Sequence, residues 1–223
     1  MKNKVINKIL CVSVMIFGYV NYAAAVKEPP VIVADDIAGI NYKNLIDKLS
    51  VGLPIKGMNS QIIGIDSTTL QALIRSQGIP ENEAVAIADN CLDGIVFSSA
   101  GQTLKPATVT AIIVNFRNGE AAIKFDETGK KVSQLEIAQF AAGSNTSYKL
   151  VKEDILELDG FDFIRYRRSE RKIDNDSIAD INAVGIIGNI YVEMGFININ
   201  ELTENNVLKF MSLISTGFIQ KSK

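Results

Sequence analysis

The 223-residue chain contains no histidine and no tryptophan, and it has only two cysteines. Without imidazole, it cannot form a Ser-His-Asp triad, a Cys-His pair, an H-E-x-x-H metalloprotease motif or the usual histidine-ligated zinc site. Two cysteines are also too few for a thiolate metal cluster, and they form no C-x-x-C pair. Any chemistry in this chain must therefore use carboxylates, Lys, Tyr, Ser or Arg, and we predict neither a cofactor nor a metal site.

The N-terminus has the pattern of a secretory signal peptide. Three lysines lie within the first eight residues, a mostly apolar stretch covers 9–20, and a run of alanines ends at Ala25. This order predicts cleavage between Ala25 and Val26 and a periplasmic or secreted protein. An uncleaved anchor is the alternative, but a membrane span needs about 20 apolar residues and this stretch is shorter.

Loss of residues 1–25 would change the charge and the thiol content. It would remove three of the 23 basic residues and none of the 25 acidic ones, so the formal charge would move from −2 to −5. A mildly acidic domain lacks the basic surplus that nucleic-acid binding requires, so we expect no nucleic-acid partner. Cys11 would also be lost, leaving Cys91 without an internal disulfide partner. Because Cys91 lies at helical spacing from Ala84, Ile87 and Ala88, we predict a buried core thiol on a helix.

The remaining chain is predicted to comprise an extended, proline-containing lead-in over 26–48 and a single α+β domain over 49–223. Strands are expected at 49–53 and 61–65. They precede a helical hairpin near 67–92, whose first helix is capped by Asp66 or Ser67 and ends at Gly78. The second helix starts at Pro80.

From residue 94 onward, strands joined by tight turns dominate the pattern. Asn-Gly at 118–119 and Asp-Gly at 159–160 each predict a β-hairpin between apolar segments. A helix is expected over 134–142, and Thr203 is expected to cap a C-terminal helix. The predicted strands are 94–98, 109–116, 121–125, 155–158, 161–166 and a pair within 183–199. This order predicts the α+β class, an antiparallel sheet with helices packed on it.

The order of elements from Leu49 onward resembles the PsbP/DcrB-like superfamily of small extracytoplasmic α+β domains. The features that carry the likeness are a strand running into Pro54, the helix at 134–142, the hairpin at 158–160, a late strand with Tyr191 and Phe196, and the closing helix from Thr203. The helical hairpin at 67–92 would be an insertion, and the lipidation cysteine of DcrB-type lipoproteins is missing. The resemblance implies an accessory or binding protein without a shared catalytic motif.

A cluster of basic residues is the main candidate binding site in this acidic chain. It consists of Arg165, Arg167, Arg168, Arg171 and Lys172. On a strand, alternation places Arg165 and Arg167 on one face, where two guanidinium groups suit a carboxylate or phosphate partner. We therefore predict an anionic partner, with a charged sheet edge that resists aggregation as the alternative.

Other motifs are weaker. Ser169 to Lys172 matches S-x-x-K, but the S-D-N and K-T-G companions of penicillin-binding enzymes are missing, so we attribute the match to chance. Asp174, Asp176 and Asp180 offer oxygens to Ca²⁺, but the spacing departs from an EF-hand and a solvated loop is preferred.

These observations predict a non-catalytic periplasmic or secreted protein that binds a protein or an anionic component of the cell envelope. The alternative is a hydrolase that cleaves an envelope glycan with two carboxylates, for which Asp89 with Asp93, or Asp162 with Glu170, are candidates. A cleft with two facing acids would favour the enzyme, and an arginine-lined surface would favour the binding protein.

Overall fold

The computed structural model describes residues 59–100, 107–143, 145–174, 176–199 and 202–219. Within these residues, seven strands form one antiparallel sheet in the order β1-β2-β3-β7-β6-β5-β4. The strands are β1 (Asn59–Ile65), β2 (Cys91–Ala100), β3 (Thr108–Phe116), β4 (Thr146–Leu156), β5 (Phe163–Ile173), β6 (Asp176–Ile187) and β7 (Ile190–Ile197). The helices are α1 (Ser67–Ser76), α2 (Glu81–Ala88), α3 (Gly119–Ala141) and α4 (Glu204–Ile219). The predicted α+β class with an antiparallel sheet is confirmed.

Apolar side chains are buried on both faces of the sheet. Helices α1, α2 and α3 pack on one face, where Leu70, Ile87 and Val132 belong to one buried cluster with strand residues. Helix α4 packs on the other face through Phe210 and Met211. Every residue of β3 is buried, because this strand lies between the two helical layers. Burial of each large apolar side chain contributes roughly 1.5–3 kcal/mol, and this burial holds the layers together.

The predicted helical hairpin is present, and its first helix has the expected ends. Asp66 caps α1 by accepting a hydrogen bond from the backbone N–H of Thr69 at 2.7 Å. Gly78 then adopts the left-handed conformation, with φ of +79°, that ends the helix. Glu81 and Glu83 lie in the first turn of α2, where the helix dipole favours negative charge.

The second helix is shorter than predicted, and this changes the place of Cys91. Helix α2 ends at Ala88, and Cys91 is the first residue of β2. The thiol is nevertheless buried, and burial raises its pKa to about 12. The predicted core role of Cys91 is therefore confirmed, while its predicted helical position is wrong.

The Asn-Gly turn at 118–119 is the main error of the sequence prediction. Asn118 accepts a hydrogen bond from the backbone N–H of Ala121 at 2.9 Å, so it caps α3 and does not turn a hairpin. The predicted strand over 121–125 is the start of this helix, and the predicted helix over 134–142 is its end. The same Asn residue suits both structures, and the burial of Ala121 and Ala122 against the sheet favours the helix.

The C-terminal half agrees better with the sequence. The Asp159-Gly160 turn joins β4 to β5, and Gly188, with φ of +57°, joins β6 to β7. The hydroxyl of Thr203 accepts a hydrogen bond from the backbone N–H of Asn206 and caps α4 as predicted. Asp176 already begins β6, so the segment predicted as a polar loop is largely strand.

The predicted strand over 49–53 lies outside the described residues.

No helix in the described ranges combines the length and the continuous apolar character needed to cross a lipid bilayer.

Two glycines allow a matched test of the packing. A Cβ at Gly94 would lie 2.5 Å from the backbone oxygen of Ile113, whereas a Cβ at Gly129 in α3 would meet no atom within 4 Å. We expect Gly94→Ala to lower the free energy of unfolding by about 2 kcal/mol or more, because backbone of β3 would have to move. Gly129→Ala should raise it by roughly 0.5–1 kcal/mol through helix propensity. Urea unfolding measures both, and equal stability of the two variants would contradict this packing.

Candidate functional site

Alternation along β5 turns a row of polar side chains toward α3. Arg165, Arg167, Ser169 and Arg171 are two residues apart and therefore share one face of the sheet. The apolar residues of the same strand, such as Ile164, point to the opposite face and enter the core under α4.

The neighbouring strands extend this polar row across the sheet. In the register of the strands, Arg165 lies beside Val184 of β6, Arg167 beside Asn182, and Ser169 beside Asp180. On the next strand, β7, Glu193 lies beside Val184 and Gly195 lies beside Asn182. Polar residues of three adjacent strands therefore face the same helix.

Helix α3 presents a matching polar face. Asp126, Lys130, Ser133 and Glu136 follow one another at spacings of four, three and three residues, which places them on one side of a helix. All four line a cavity between α3 and the sheet, together with the polar row of β5. Its volume is about 140 Å³. Such a space holds on the order of five water molecules or one small organic anion, at about 30 Å³ for each water.

A buried ion pair joins α3 to the sheet at one end of the cavity. Both terminal nitrogens of Arg165 donate to the carboxylate of Asp126, at 3.0 and 2.7 Å. Lys130 lies 2.8 Å from the same carboxylate and is partly exposed, whereas only 2% of the Asp126 side chain is exposed. Burial acts to raise the pKa of Asp126, but the hydrogen bonds from Arg165 and Lys130 outweigh it and lower the pKa below its ordinary value.

Arg167 lies at the middle of the cavity, and Arg171 lies at the end opposite the Arg165–Asp126 pair. Arg167 donates to the hydroxyl of Ser133 at 3.1 Å and to Glu153 at 2.9 Å, and Arg171 pairs with Asp180. Only 4% of Arg171 is exposed. The Nε–H groups of Arg167 and Arg171 are buried and have no hydrogen-bond acceptor within the described part of the chain.

Two further carboxyl groups face the cavity. Glu193 accepts hydrogen bonds from the Tyr191 hydroxyl and the Asn182 amide, both at 2.7 Å, and burial raises its pKa. Burial also raises the pKa of Glu136 to about 7; Arg171 opposes this shift, and repulsion from Glu193 and Asp180 adds to it. Burial thus raises the pKa of three acids at this cavity, Glu136, Asp180 and Glu193.

The structure divides the predicted basic cluster between two faces of the sheet. Arg165, Arg167 and Arg171 line the cavity, while Arg168 and Lys172 are exposed on the opposite face. The predicted role of these five residues in binding stays a prediction. Sequence reasoning missed Asp126 and Lys130 because α3 was not predicted to begin before residue 134, and it placed Glu136 in the predicted helix over 134–142 without assigning it to the site.

The weaker motifs do not assemble at the cavity. Ser169 is buried on the cavity face and Lys172 is exposed on the other, so this serine and lysine do not form a reactive pair. Asp162 and Glu170 are eight residues apart on the same extended segment, which corresponds to about 26 Å at the rise of a β-strand. Two carboxylates this far apart cannot flank one glycosidic bond.

Asp89 is the C-cap of α2, and Asp93 is buried in β2; neither lines the cavity. Among the residues that the structure describes, no group of three or more Cys, Asp or Glu side chains is arranged to hold a metal ion.

Comparison with known proteins gives a likeness at the level of the fold. The solution structure of cyanobacterial PsbP (CyanoP) from Synechocystis sp. PCC 6803 aligns with 74% of this chain and 93% of that chain, at 12% identity and a TM-score of 0.33. This agrees with the weak resemblance to PsbP/DcrB-like domains seen in the sequence. No family model matches the chain, and no curated protein matches it significantly. At this TM-score, the likeness carries no argument about the cavity.

The pair between Arg165 and Asp126 allows a double-mutant test. We expect Asp126→Asn to lower the free energy of unfolding by about 3 kcal/mol, because it leaves the Arg165 guanidinium buried without its partner charge. The double variant with Arg165→Met should recover about 1–2 kcal/mol of this loss. Urea unfolding of the two single variants and the double variant measures the coupling, and strictly additive losses would show that the pair does not hold α3.

Glu136 should give stability a characteristic pH dependence. Its pKa is about 7 in the folded chain against 4.5 ordinarily, so between these values the folded state holds more protons than the unfolded state. The free energy of unfolding should therefore fall as pH rises through this window. Glu136→Gln should reduce that fall, which urea titrations across the window would show, and Asp180 and Glu193, whose pKa values burial also raises, contribute what remains. An unchanged pH profile in the variant would contradict the assignment.

Proposed function

We propose that this chain is a non-catalytic binding protein of the periplasm or the extracellular space, and that the polar cavity receives an anionic group of its partner. The partner would be a protein or an anionic component of the cell envelope. The leader pattern at the N-terminus supports export, and the three cavity arginines support recognition of an anion.

One observation carries the proposal: Arg171 is almost fully buried against a cavity and keeps an unpartnered N–H. A buried donor without an acceptor is unfavourable by about 1–3 kcal/mol, and more when the group is charged. A carboxylate bound against this guanidinium group would bring an acceptor to it, which the Nε–H reaches once the side chain shifts toward the cavity. Arg167 offers a second such N–H from the same strand.

The hydrogen bonds of the acids favour binding over catalysis. Asp126 and Asp180 already accept hydrogen bonds from arginines, and Glu193 accepts them from the Tyr191 hydroxyl and the Asn182 amide, so these carboxyl groups are committed to partners within the protein. Without histidine, none of these carboxylates has an imidazole to relay a proton.

Glu136 supports the second candidate function, a carboxylate-dependent hydrolase. A carboxyl group whose pKa is about 7 suits general acid catalysis, and Glu193 faces the same cavity. The two functions differ in what Glu136→Gln does. In a hydrolase, this change abolishes turnover of the glycan, whereas in a binding protein there is no turnover to lose.

Binding is tested with a small anion on the full mature chain. Sodium acetate, titrated at about pH 6 and followed by amide chemical shifts, should bind in the cavity because its carboxylate matches the guanidinium fork. The paired variant Arg171→Gln with Asp180→Asn should weaken acetate binding about tenfold or more, since it removes the buried donor without leaving a lone charge. Arg168→Gln, on the opposite face of the same strand, is the matched control and should bind like the wild type.

Gly129→Leu provides an independent check. This change adds a large side chain at an open position of the cavity lining and removes no charged group. It should therefore abolish acetate binding while the chain stays folded. If the Arg171/Asp180 variant and Gly129→Leu both bind acetate as the wild type does, the cavity is not the binding site.

A further inference from the structure

Strand β4 is the last strand of the sheet, and it is paired along one edge. Its partner is β5, and no other strand in the described ranges pairs with its outer edge. Most of its 11 residues are exposed. A long strand at the end of a sheet presents a row of backbone N–H and C=O groups that can pair with a further strand.

Exposed apolar side chains are concentrated on this strand. Leu150 and Val151 are each 45% exposed, and Ile155 is 66% exposed. Single exposed apolar residues are common on protein surfaces, but a group of them on one element indicates a contact with another molecule. The outer edge of β4 therefore combines unpaired backbone groups with an apolar contact surface.

A β-bulge at Val151 divides β4 into two halves. Leu150 lies beside Ser169 of β5 and Lys152 lies beside Arg168, so Val151 is the additional residue. The bulge shifts the alternation of side chains by one residue. Side chains on the α3 side of the sheet are those of Tyr148, Leu150, Glu153 and Ile155, and those on the α4 side are Lys149, Lys152 and Asp154.

We propose that β4 pairs in antiparallel orientation with β4 of a second copy of this chain, about a two-fold axis beside the bulge. The two seven-stranded sheets then form one continuous sheet. In an antiparallel pair, residues directly opposite one another lie on the same face. Because the bulge shifts the alternation, the two halves of β4 meet this condition in the register that places Lys149 opposite Asp154 of the second copy.

In this register, the strand is complementary to itself. Lys149 opposes Asp154 of the second copy on the α4 side, and Tyr148 opposes Ile155 of the second copy on the α3 side. Two-fold symmetry repeats each pair, and cross-strand pairs of both kinds stabilise a sheet. A shift of the register by two residues would place Lys149 opposite Lys152 of the second copy, where like charges repel. The charges therefore favour a second copy in one register.

The ion pairs within one copy are compatible with this contact. Lys149 is exposed and has no charged partner in the described part of the chain. Lys152 lies 2.8 Å from Asp154 and also pairs with Glu204. Glu204 therefore remains as a counter-charge for Lys152 when Asp154 contacts the second copy. The two Lys152 side chains near the axis are each compensated in this way.

The test is the association state of the full mature chain. Sedimentation equilibrium between about 5 and 500 µM should show monomer and dimer in exchange. Lys149→Glu should raise the dimer Kd about tenfold or more, because it places like charges opposite one another in both symmetric pairs. Lys149→Glu together with Asp154→Lys exchanges the two charges and should return the Kd to within about threefold of the wild type. Lys172→Glu, the same change one strand inside the edge, is the matched control and should leave the Kd unchanged.

The outcomes either support or overturn the contact. A wild-type chain that stays monomeric up to about 500 µM would show that the lysines and the bulge protect this edge from pairing, and the proposal would be wrong. A dimer that Lys149→Glu does not weaken, or that the charge exchange does not restore in a folded chain, would also refute pairing through β4. Circular dichroism shows whether each variant is folded. Acetate takes no part in these measurements, so they are independent of the proposed anion site.

Discussion

The bidentate pair between Arg165 of the sheet and Asp126 of α3 is the interaction on which the arrangement of this face depends. Asp126 lies among the buried residues of α3, between Ala122 and Val132, so the pair acts where the helix also packs on the sheet. Two buried charges tolerate little displacement, because separation would leave each without its partner in a medium of low dielectric constant. The pair therefore fixes the position of α3 over β5, β6 and β7.

The cavity is a consequence of this mode of attachment. Aliphatic side chains interdigitate until interiors reach the density of organic crystals, whereas charged side chains are placed by the direction of their hydrogen bonds. Where Arg167 and Arg171 reach toward α3, their contacts are with Ser133, Glu153 and Asp180, and space remains between them. The open position at Gly129 enlarges this space from the side of the helix. A polar interior without close packing thus leaves a volume lined by guanidinium and carboxyl groups.

Much of the fold was predictable, because it depends on local signals that tertiary packing did not override. The caps at Asp66 and Thr203, the turn at Gly160 and the alternation of Arg165 and Arg167 were all visible in the sequence. Position 118 was not decidable in the same way, since an Asn before Gly suits both a hairpin and a helix N-terminus. Because a hairpin was predicted there, Asp126 was not placed on a helix and its ion pair with Arg165 was not foreseen. The arginines of β5 were therefore assigned to the surface, although three of them line an interior cavity.

The same alternation explains why the predicted basic cluster contains two different environments. A period of two residues separates Arg168 and Lys172 from the cavity arginines, and on their own face they remain solvated and have little power to position a ligand. Inside the cavity, Asp126 and Asp180 hold Arg165 and Arg171, so burial and ion pairing fix where these guanidinium groups lie.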